Sequence, residues 1–361
     1  MSHVADSRPL RIALVGFGTV GRWVARAVVT RSGALEEHHG GPFSFVGIGN
    51  ARDGYVHDAV GLDVARALEL AEAAAPLTDL GREHWPTAAD GLRATEADVL
   101  IEATASGAET GEPGLTHIRE ALERGVAVVT SNKWPVALAG VDLTGLARAR
   151  RTAFRAESTV MSGTPVLSTL RDGLAGGLPI GIRGVLNATA NFILTGIANG
   201  RSYDAALAEA QRIGLAERDP SADVDGHDSV AKLMILSALV FGRQLRVDQV
   251  DRRGISSLSD EELATARTGA LREVATLEFA EPGAGGEAKA RVAPTVVQPG
   301  DRLAAVTGTE NALVCRADPI GELTILGPGA GVRLAGQGVL SDLLAVARGL
   351  GRQTGPSTRS V

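Results

Sequence analysis

Apolar positions along this chain follow two habits. Short, mostly apolar runs at residues 11–15, 43–48, 98–102 and 125–130 read as strands buried on both faces, the mark of a parallel sheet. Between them, apolar residues recur at helical spacing, as in Val20, Val24, Ala27 and Val28, in the alanine-rich stretch 64–75 and in 114–124. This alternation predicts an α/β fold, a doubly wound parallel sheet over about residues 10–140. From about residue 150 the pattern changes: helices at 203–213 and 227–241 mix with strand-like runs at 181–187, 272–279 and 310–315. A second, α+β domain over 141–326 is expected, with 281–288 (EPGAGGEA) as a loop or hairpin connection and 351–361 as a flexible tail.

The first strand runs into Gly16-Phe17-Gly18-Thr19-Val20-Gly21. The pattern alone is weak, since 45 glycines in 361 positions give about one such match by chance. Its place between a strand and a helix is what carries meaning. There the first glycine makes the tight turn, the second admits a pyrophosphate and the third packs helix on strand, the Rossmann arrangement for a nicotinamide dinucleotide. The second strand ends at Asn50-Ala51-Arg52-Asp53. Arg52 favours a 2′-phosphate and hence NADP, whereas Asp53, by engaging Arg52, would reverse the preference. Thr104 in the Ala103–Ser106 turn and Ser131 and Lys133 in the next one follow later strands, where such sheets bind ligands.

Five carboxylates fall in twelve residues at Glu217, Asp219, Asp223, Asp225 and Asp228, without the spacing of an EF-hand. The helix that follows is apolar on nearly every side, through Val230, Leu233, Met234, Ile235, Leu236, Leu239, Val240 and Phe241. It is therefore buried, and Asp228 and Lys232 share one of its faces at i and i+4. A lysine buried beside a carboxylate is either a structural pair or a group prepared for proton transfer.

Composition removes other classes. A net charge of −6 leaves no basic surplus for nucleic acid. Cys315 is the one cysteine, so no intrachain disulfide forms, and the histidines never reach zinc-ligand spacing with it. The N-terminal residues lack a signal-peptide pattern and no apolar stretch is long enough to span a membrane, so a soluble, cytoplasmic enzyme is expected.

Across nearly the whole chain these motifs resemble the homoserine dehydrogenases. The resemblance is carried by the glycine loop, Gly111-Glu112-Pro113, Val129–Lys133, Glu157–Pro165 (ESTVMSGTP), Asn187–Leu194 (NATANFIL), Glu209–Lys232 and Gly327–Gly331. It implies reversible oxidation of L-homoserine to aspartate 4-semialdehyde with NAD(P), in a homodimer. Lys232 would carry the proton at the reacting oxygen, with Asp228 beside it and Lys133 near the cofactor. Glu217, Asp223, Asn187, Ala188 and Thr189 would hold the substrate, and Gly331 would close over the nicotinamide. It further implies a structural sodium ion on Glu157, Val160, Ser162 and Thr164. The final helix, 336–349 within 327–350, would complete the cofactor domain, and no appended amino-acid-binding regulatory domain is expected.

Two positions depart from the family pattern. Ala188 stands where Gly is usual, and is strained if that position needs positive φ. Ala335 stands for a threonine at the start of the last helix, where a cap would be lost. They raise a rival reading, an oxidoreductase acting on a related amino alcohol. A cofactor-binding regulator without catalysis would show damage at Lys133, Asp228 or Lys232, and all three are intact.

Overall fold

Leu10–Val15 (β1) leads through the glycine turn into Thr19–Thr30 (α1), and Ile12, Ala13 and Leu14 of β1 are fully buried. The structure, a computed structural model, describes residues 8–39, 41–281 and 285–354. The chain divides into two compact units, one of Met1–Pro135, Asp142–Ser158 and Ala335–Val361, the other of Val136–Val141 and Thr159–Leu334.

In the first unit, Ser32–His39 (α2) precedes Phe43–Asn50 (β2), Gly54–His57 (β3), Val64–Glu72 (α3), Glu83–Trp85 (β4) and Ala88–Ala94 (α4). Val99–Glu102 (β5), Gly114–Glu123 (α5), Ala127–Thr130 (β6), Lys133–Ala149 (α6) and Phe154–Arg155 (β7) follow. The sheet order is β4-β3-β2-β1-β5-β6-β7. β2, β1, β5, β6 and β7 are parallel, whereas β3 and β4 add to one edge antiparallel, so the sheet is mixed rather than wholly parallel. Those two strands escape the apolar-run reading because they are short and carry His57, Glu83 and His84. The core sets Ile12, Leu14, Ile48 and Ile101 against Val24 and Val28 of α1 and Val339 and Leu343 of the last helix. That helix, Val332–Thr354 (α12), starts earlier and ends later than 336–349. The tail expected at 351–361 lies outside the described residues from 355 onward.

The second unit is built on a six-stranded sheet in the order β13-β12-β8-β10-β11-β9. Its strands are Leu178–Val185 (β8), Val250–Arg252 (β9), Leu271–Glu281 (β10), Gly285–Val296 (β11), Glu310–Asp318 (β12) and Gly321–Pro328 (β13). All neighbours run antiparallel except β11 and β9. Helices Ala188–Ala198 (α7), Tyr203–Arg212 (α8), Ser221–Val224 (α9), His227–Val240 (α10) and Asp260–Arg267 (α11) complete the unit. The connection at 281–288 is the β10–β11 hairpin, its residues 282–284 lying outside the described ones. Every residue of α10 from Ser229 to Ala238 is buried, so its all-round apolar pattern reports burial on all sides. No helix among the described residues is long and apolar enough to cross a membrane.

Candidate active site

The first unit offers a cleft of about 730 Å³ lined by Gly16, Phe17, Gly18, Asn50, Ala51, Arg52, Thr104 and His117, among others. It opens beyond the carboxyl ends of β1, β2 and β5. There the sheet order reverses, since β1 lies between β2 on one side and β5 on the other, the place where open α/β sheets bind ligands. Gly16 has φ 98°, and a Cβ on it would run into the backbone of Ala103. A Cβ on Gly21 would strike the Gly16 carbonyl, whereas nothing stands near Gly18. α1 has no side-chain cap and no acidic residue in its first turn, so its free N–H groups suit an anion. The residues therefore fit a dinucleotide pyrophosphate.

Within the glycine loop, Phe17 is buried in the core and Thr19, Val20 and Gly21 form the first turn of α1. At the second strand, Arg52 is already engaged. It makes a bidentate pair with Asp53, Nε to Oδ1 and Nη2 to Oδ2 both at 2.8 Å, and donates to the carbonyls of Ala74 at 3.0 Å and Ala75 at 2.7 Å. Asn50 donates to Asp53 Oδ2 at 2.9 Å and accepts from the amides of Arg52 and Asp53. The Arg52 hydrogen bonds hold the Asp53 carboxyl down at about 2.

Beneath the cleft lies a polar network that sequence reasoning missed. Glu102, at the end of β5, is fully buried and accepts from the Thr104 amide at 3.1 Å, from the Thr104 hydroxyl and from Thr130 Oγ1 at 3.1 Å. Asn132 Nδ2 donates to Thr104 Oγ1 at 3.2 Å and to Ser106 Oγ at 2.7 Å, and the buried His117 ring lies 3.7 Å from Glu102. One glutamate closing an otherwise apolar strand, Val99-Leu100-Ile101-Glu102, was the available signal. The Ser131 amide donates to the Glu102 carbonyl at 3.1 Å, and half-buried Lys133 opens α6 with Asn132 as its N-cap.

In the second unit, Lys232 Nζ lies 2.7 Å from Asp228 Oδ2, with side-chain exposures of 9% and 10%. It also donates to the Leu186 carbonyl at 2.6 Å. Asn187 Nδ2 bridges Asp223 Oδ1 at 2.7 Å and Asp228 Oδ2 at 3.0 Å, while its Oδ1 caps α7 by accepting from Ala190 N at 2.7 Å. Thus Asn187, Asp223, Asp228 and Lys232 come together. Thr189 instead donates to the Leu215 carbonyl at 3.3 Å, tying α7 to the acidic loop, and Glu217 is exposed on that loop.

Ala188 is the first residue of α7 and is not among the residues with positive φ, so the expected strain is absent. Ala335 lies inside the first turns of α12, which starts at Val332, so it is not the cap position. Buried Glu157 lies in a short 3-10 turn of the first unit, its amide donating to Asp342 at 2.7 Å. Val160 is buried; Met161 and Ser162 adopt left-handed φ of 55° and 54°. Ser162 Oγ donates to Gly329 O and Thr164 Oγ1 to Pro328 O, both at 3.1 Å. Gly331, with φ 132°, precedes α12.

The basic residues carry one more signal. Of the 36 only three are lysine, Lys133, Lys232 and Lys289. Arginine serves nearly everywhere a surface cation suffices, and two lysines remain at candidate site positions, where arginine, which does not give up its proton, is no substitute.

Comparison with known proteins agrees with this geometry. A family model described as homoserine dehydrogenase matches residues 165–344. The NAD(+)-dependent homoserine dehydrogenase of Pseudomonas canavaninivorans is 35% identical over 337 residues, covering 93% of this chain and 96% of that protein. The homoserine dehydrogenase of Methanocaldococcus jannaschii is 32% identical over 341 residues, 93% of this chain and 98% of the relative. A solved structure of a putative homoserine dehydrogenase from Archaeoglobus fulgidus superposes with TM-score 0.81 at 31% identity, covering 94% of this chain and 99% of that one. A hyperthermophilic archaeal homoserine dehydrogenase in complex with NADPH gives TM-score 0.78 at 31% identity, with 94% and 98% covered. By its sequence over nearly its full length and by its fold, the chain belongs to the homoserine dehydrogenase family.

Proposed function

We propose that the protein interconverts L-homoserine and L-aspartate 4-semialdehyde. The observation that carries this reading is the buried Asp228–Lys232 pair, whose acidic partners Asp223 and Asp228 are tied together by Asn187. In the oxidative direction Lys232 takes the proton of the substrate hydroxyl, while Asp228 and the Leu186 carbonyl hold its Nζ in place. In reverse, the ammonium stabilises the charge that develops on the carbonyl oxygen and returns the proton. Asp223 and Glu217 supply the carboxylates that suit the substrate ammonium. Gly16, Gly18 and the N-terminus of α1 would hold a nicotinamide dinucleotide, which would supply the hydride acceptor. Lys133, at the start of α6 beyond β6, is proposed to serve the cofactor side.

Both dinucleotides are proposed as cofactors, with NADP favoured by a modest factor. Arg52, at the end of the second strand, lines the cleft, and Asp53 shares its charge. A structural monovalent cation is proposed on carbonyls of Val160, Ser162 and Thr164, supported by the left-handed turn at Met161 and Ser162. A homodimer is proposed as well, on the exposed Leu178, Val296, Ile320 and Leu326 of the second unit.

The test is direct. Purified protein given L-homoserine with NAD⁺ or NADP⁺ reduces either dinucleotide, followed by its absorbance, and the Lys232→Met variant does so about 10²–10⁴-fold more slowly. Absence of reduction with homoserine in the wild-type protein overturns the proposal.

A further inference from the structure

Adjacent residues of β10 point to opposite faces of the sheet, and two of them are charged and buried, Arg272 at 3% and Glu273 at 2% exposure. Arg272 is satisfied by backbone, donating to the carbonyls of Val306, Ala304, Gly269 and Leu271 at 2.7 to 2.9 Å. Glu273 is not. Ser229 Oγ donates to its Oε1 at 2.6 Å, while Oε2 is buried with no hydrogen-bond partner among the described residues. Oε2 lies against Gly226, the N-cap of α10, beside Val292 Cγ1 and Arg252 Cγ. The carboxyl thus stands behind the first turn of α10, joined to it through Ser229, the residue that follows Asp228. A carboxyl this deeply buried and half satisfied calls for a reason.

We propose that Glu273 is a positioning residue for the proton transfer at Lys232: its ionisation adds a negative charge behind the Asp228–Lys232 pair and favours the ammonium form of the lysine, strengthening it as the acceptor of the substrate hydroxyl proton. This inference rests on the role given to Lys232 above. The groups that face Glu273 are Asp228 and Lys232 from α10, Asp223 from α9 and Arg252 from β9, the last held on the Asp225 carbonyl. β11 offers only Val292 and, in register opposite, Pro294. Burial pushes the Glu273 carboxyl up to about 8, the Ser229 hydrogen bond acts the other way, Asp228 and Asp223 add to the rise and Lys232 opposes it. A change of charge on Glu273 is thus felt by the Asp228–Lys232 pair that faces it.

Two variants and two readouts decide the matter. In wild-type protein kcat/KM for homoserine oxidation against pH carries an inflection near 8. Glu273→Gln, equal in shape and unable to ionise, removes that inflection and moves the rising limb to lower pH by on the order of one unit. Ser229→Ala removes the bond that favours the ionised form, so the inflection stays and moves to higher pH. Profiles of both variants that superimpose on wild type after scaling overturn the proposal. The second readout is thermal stability against pH, which needs no substrate. The folded carboxyl keeps its proton up to about 8 while the unfolded one ionises at its ordinary value. Wild type therefore loses stability relative to Glu273→Gln as pH rises from about 5 to 8. A difference that is flat with pH overturns the premise. Wild-type protein inactive on homoserine overturns the role of Lys232, and this one with it, while the stability readout still reports the Glu273 ionisation separately.

Discussion

Replacing Lys232 by methionine tests the site and its energetics at once. Methionine fills similar space without charge, so the change leaves Asp228, with 10% side-chain exposure, deprived of the cation 2.7 Å away. At an effective dielectric constant of about 20 the lost attraction is roughly 6 kcal/mol before desolvation is counted. Removing one member of a buried pair costs about 3–5 kcal/mol net. The loss has a ceiling, because the stranded carboxylate can take up a proton. Starting from an ordinary carboxylate value near 3.9, that costs about 4 kcal/mol at pH 7 and about 1.5 kcal/mol at pH 5. The expected loss in unfolding free energy is therefore about 3–4 kcal/mol at pH 7, shrinking to about 1.5 kcal/mol at pH 5. Its sign follows from the proton: the variant's carboxyl is raised on folding, so the variant recovers stability as pH falls. Adding Asp228→Asn removes the stranded charge and should restore about 2 kcal/mol. The assay is urea unfolding followed by circular dichroism, run as a double-mutant cycle at both pH values. On activity, Lys232→Met and Lys232→Arg should each lower kcat by about 10²–10⁴-fold, the arginine because it keeps charge and cannot release a proton. A Lys232→Met protein that loses as much stability at pH 5 as at pH 7 refutes the ion-pair reasoning. One that keeps kcat within about tenfold of wild type refutes the proton-transfer role.

Three further outcomes follow from the same geometry. Gly16→Ala forces a left-handed residue and a Cβ against the Ala103 backbone, so dinucleotide affinity, measured by fluorescence titration, should fall at least about tenfold while homoserine-independent folding is retained with a loss of about 1–2 kcal/mol. Asp53→Asn frees the Arg52 charge, so the ratio of kcat/KM for NADP⁺ over NAD⁺ should rise, by on the order of tenfold; Arg52→Ala should move it the other way, and an unchanged ratio in both removes this turn from cofactor choice. Glu262 caps α11 with Ser259 and pairs with Arg253, whose hydrogen bonds hold its carboxyl down at about 2. Since that value is depressed on folding, the contribution is present above an ordinary carboxylate value and is lost as pH falls toward about 2. Wild type should thus lose more stability than Glu262→Gln between about pH 5 and 2, read by thermal melts.

How much of this was legible in the sequence depends on which physical signal each element leaves. β1, β2, β5 and β6 were plain because a strand buried on both faces is mostly apolar, and α10 was plain because burial on all sides erases its polar stripe. Strands β3 and β4 left no such run, since they pair antiparallel at the edge and tolerate His57, Glu83 and His84. The Asp228–Lys232 contact followed from i, i+4 spacing alone. Asn187 reaching Asp223 and Asp228 did not, because the partners lie 36 and 41 residues away, and no local pattern encodes that distance. Glu273 was invisible for the same reason: within β10 it is one polar residue beside Arg272, and only the sheet reveals that it faces α10.

The alanine at position 188 shows why the substrate assignment holds against the departure from the family pattern. A glycine there would matter if the backbone needed a left-handed turn, yet Ala188 begins α7 in helical conformation, where alanine is the better residue. The neighbour that does the polar work, Asn187, keeps its amide on both carboxylates and its carbonyl oxygen on the α7 amide. The methyl therefore stabilises the helix that follows Asn187 without displacing the Asn187 hydrogen bonds to Asp223 and Asp228. On the proposed roles, the spacing between Asp223 and Lys232 would discriminate homoserine from a longer or shorter analogue, and these residues lie on α9 and α10, on either side of the Gly226 N-cap, rather than on the helix that Ala188 begins. Ala188→Gly should accordingly leave the preference for homoserine unchanged and lower stability by about 0.5–1 kcal/mol through helix propensity alone. A shift in substrate preference in that variant would return Ala188 to the recognition surface.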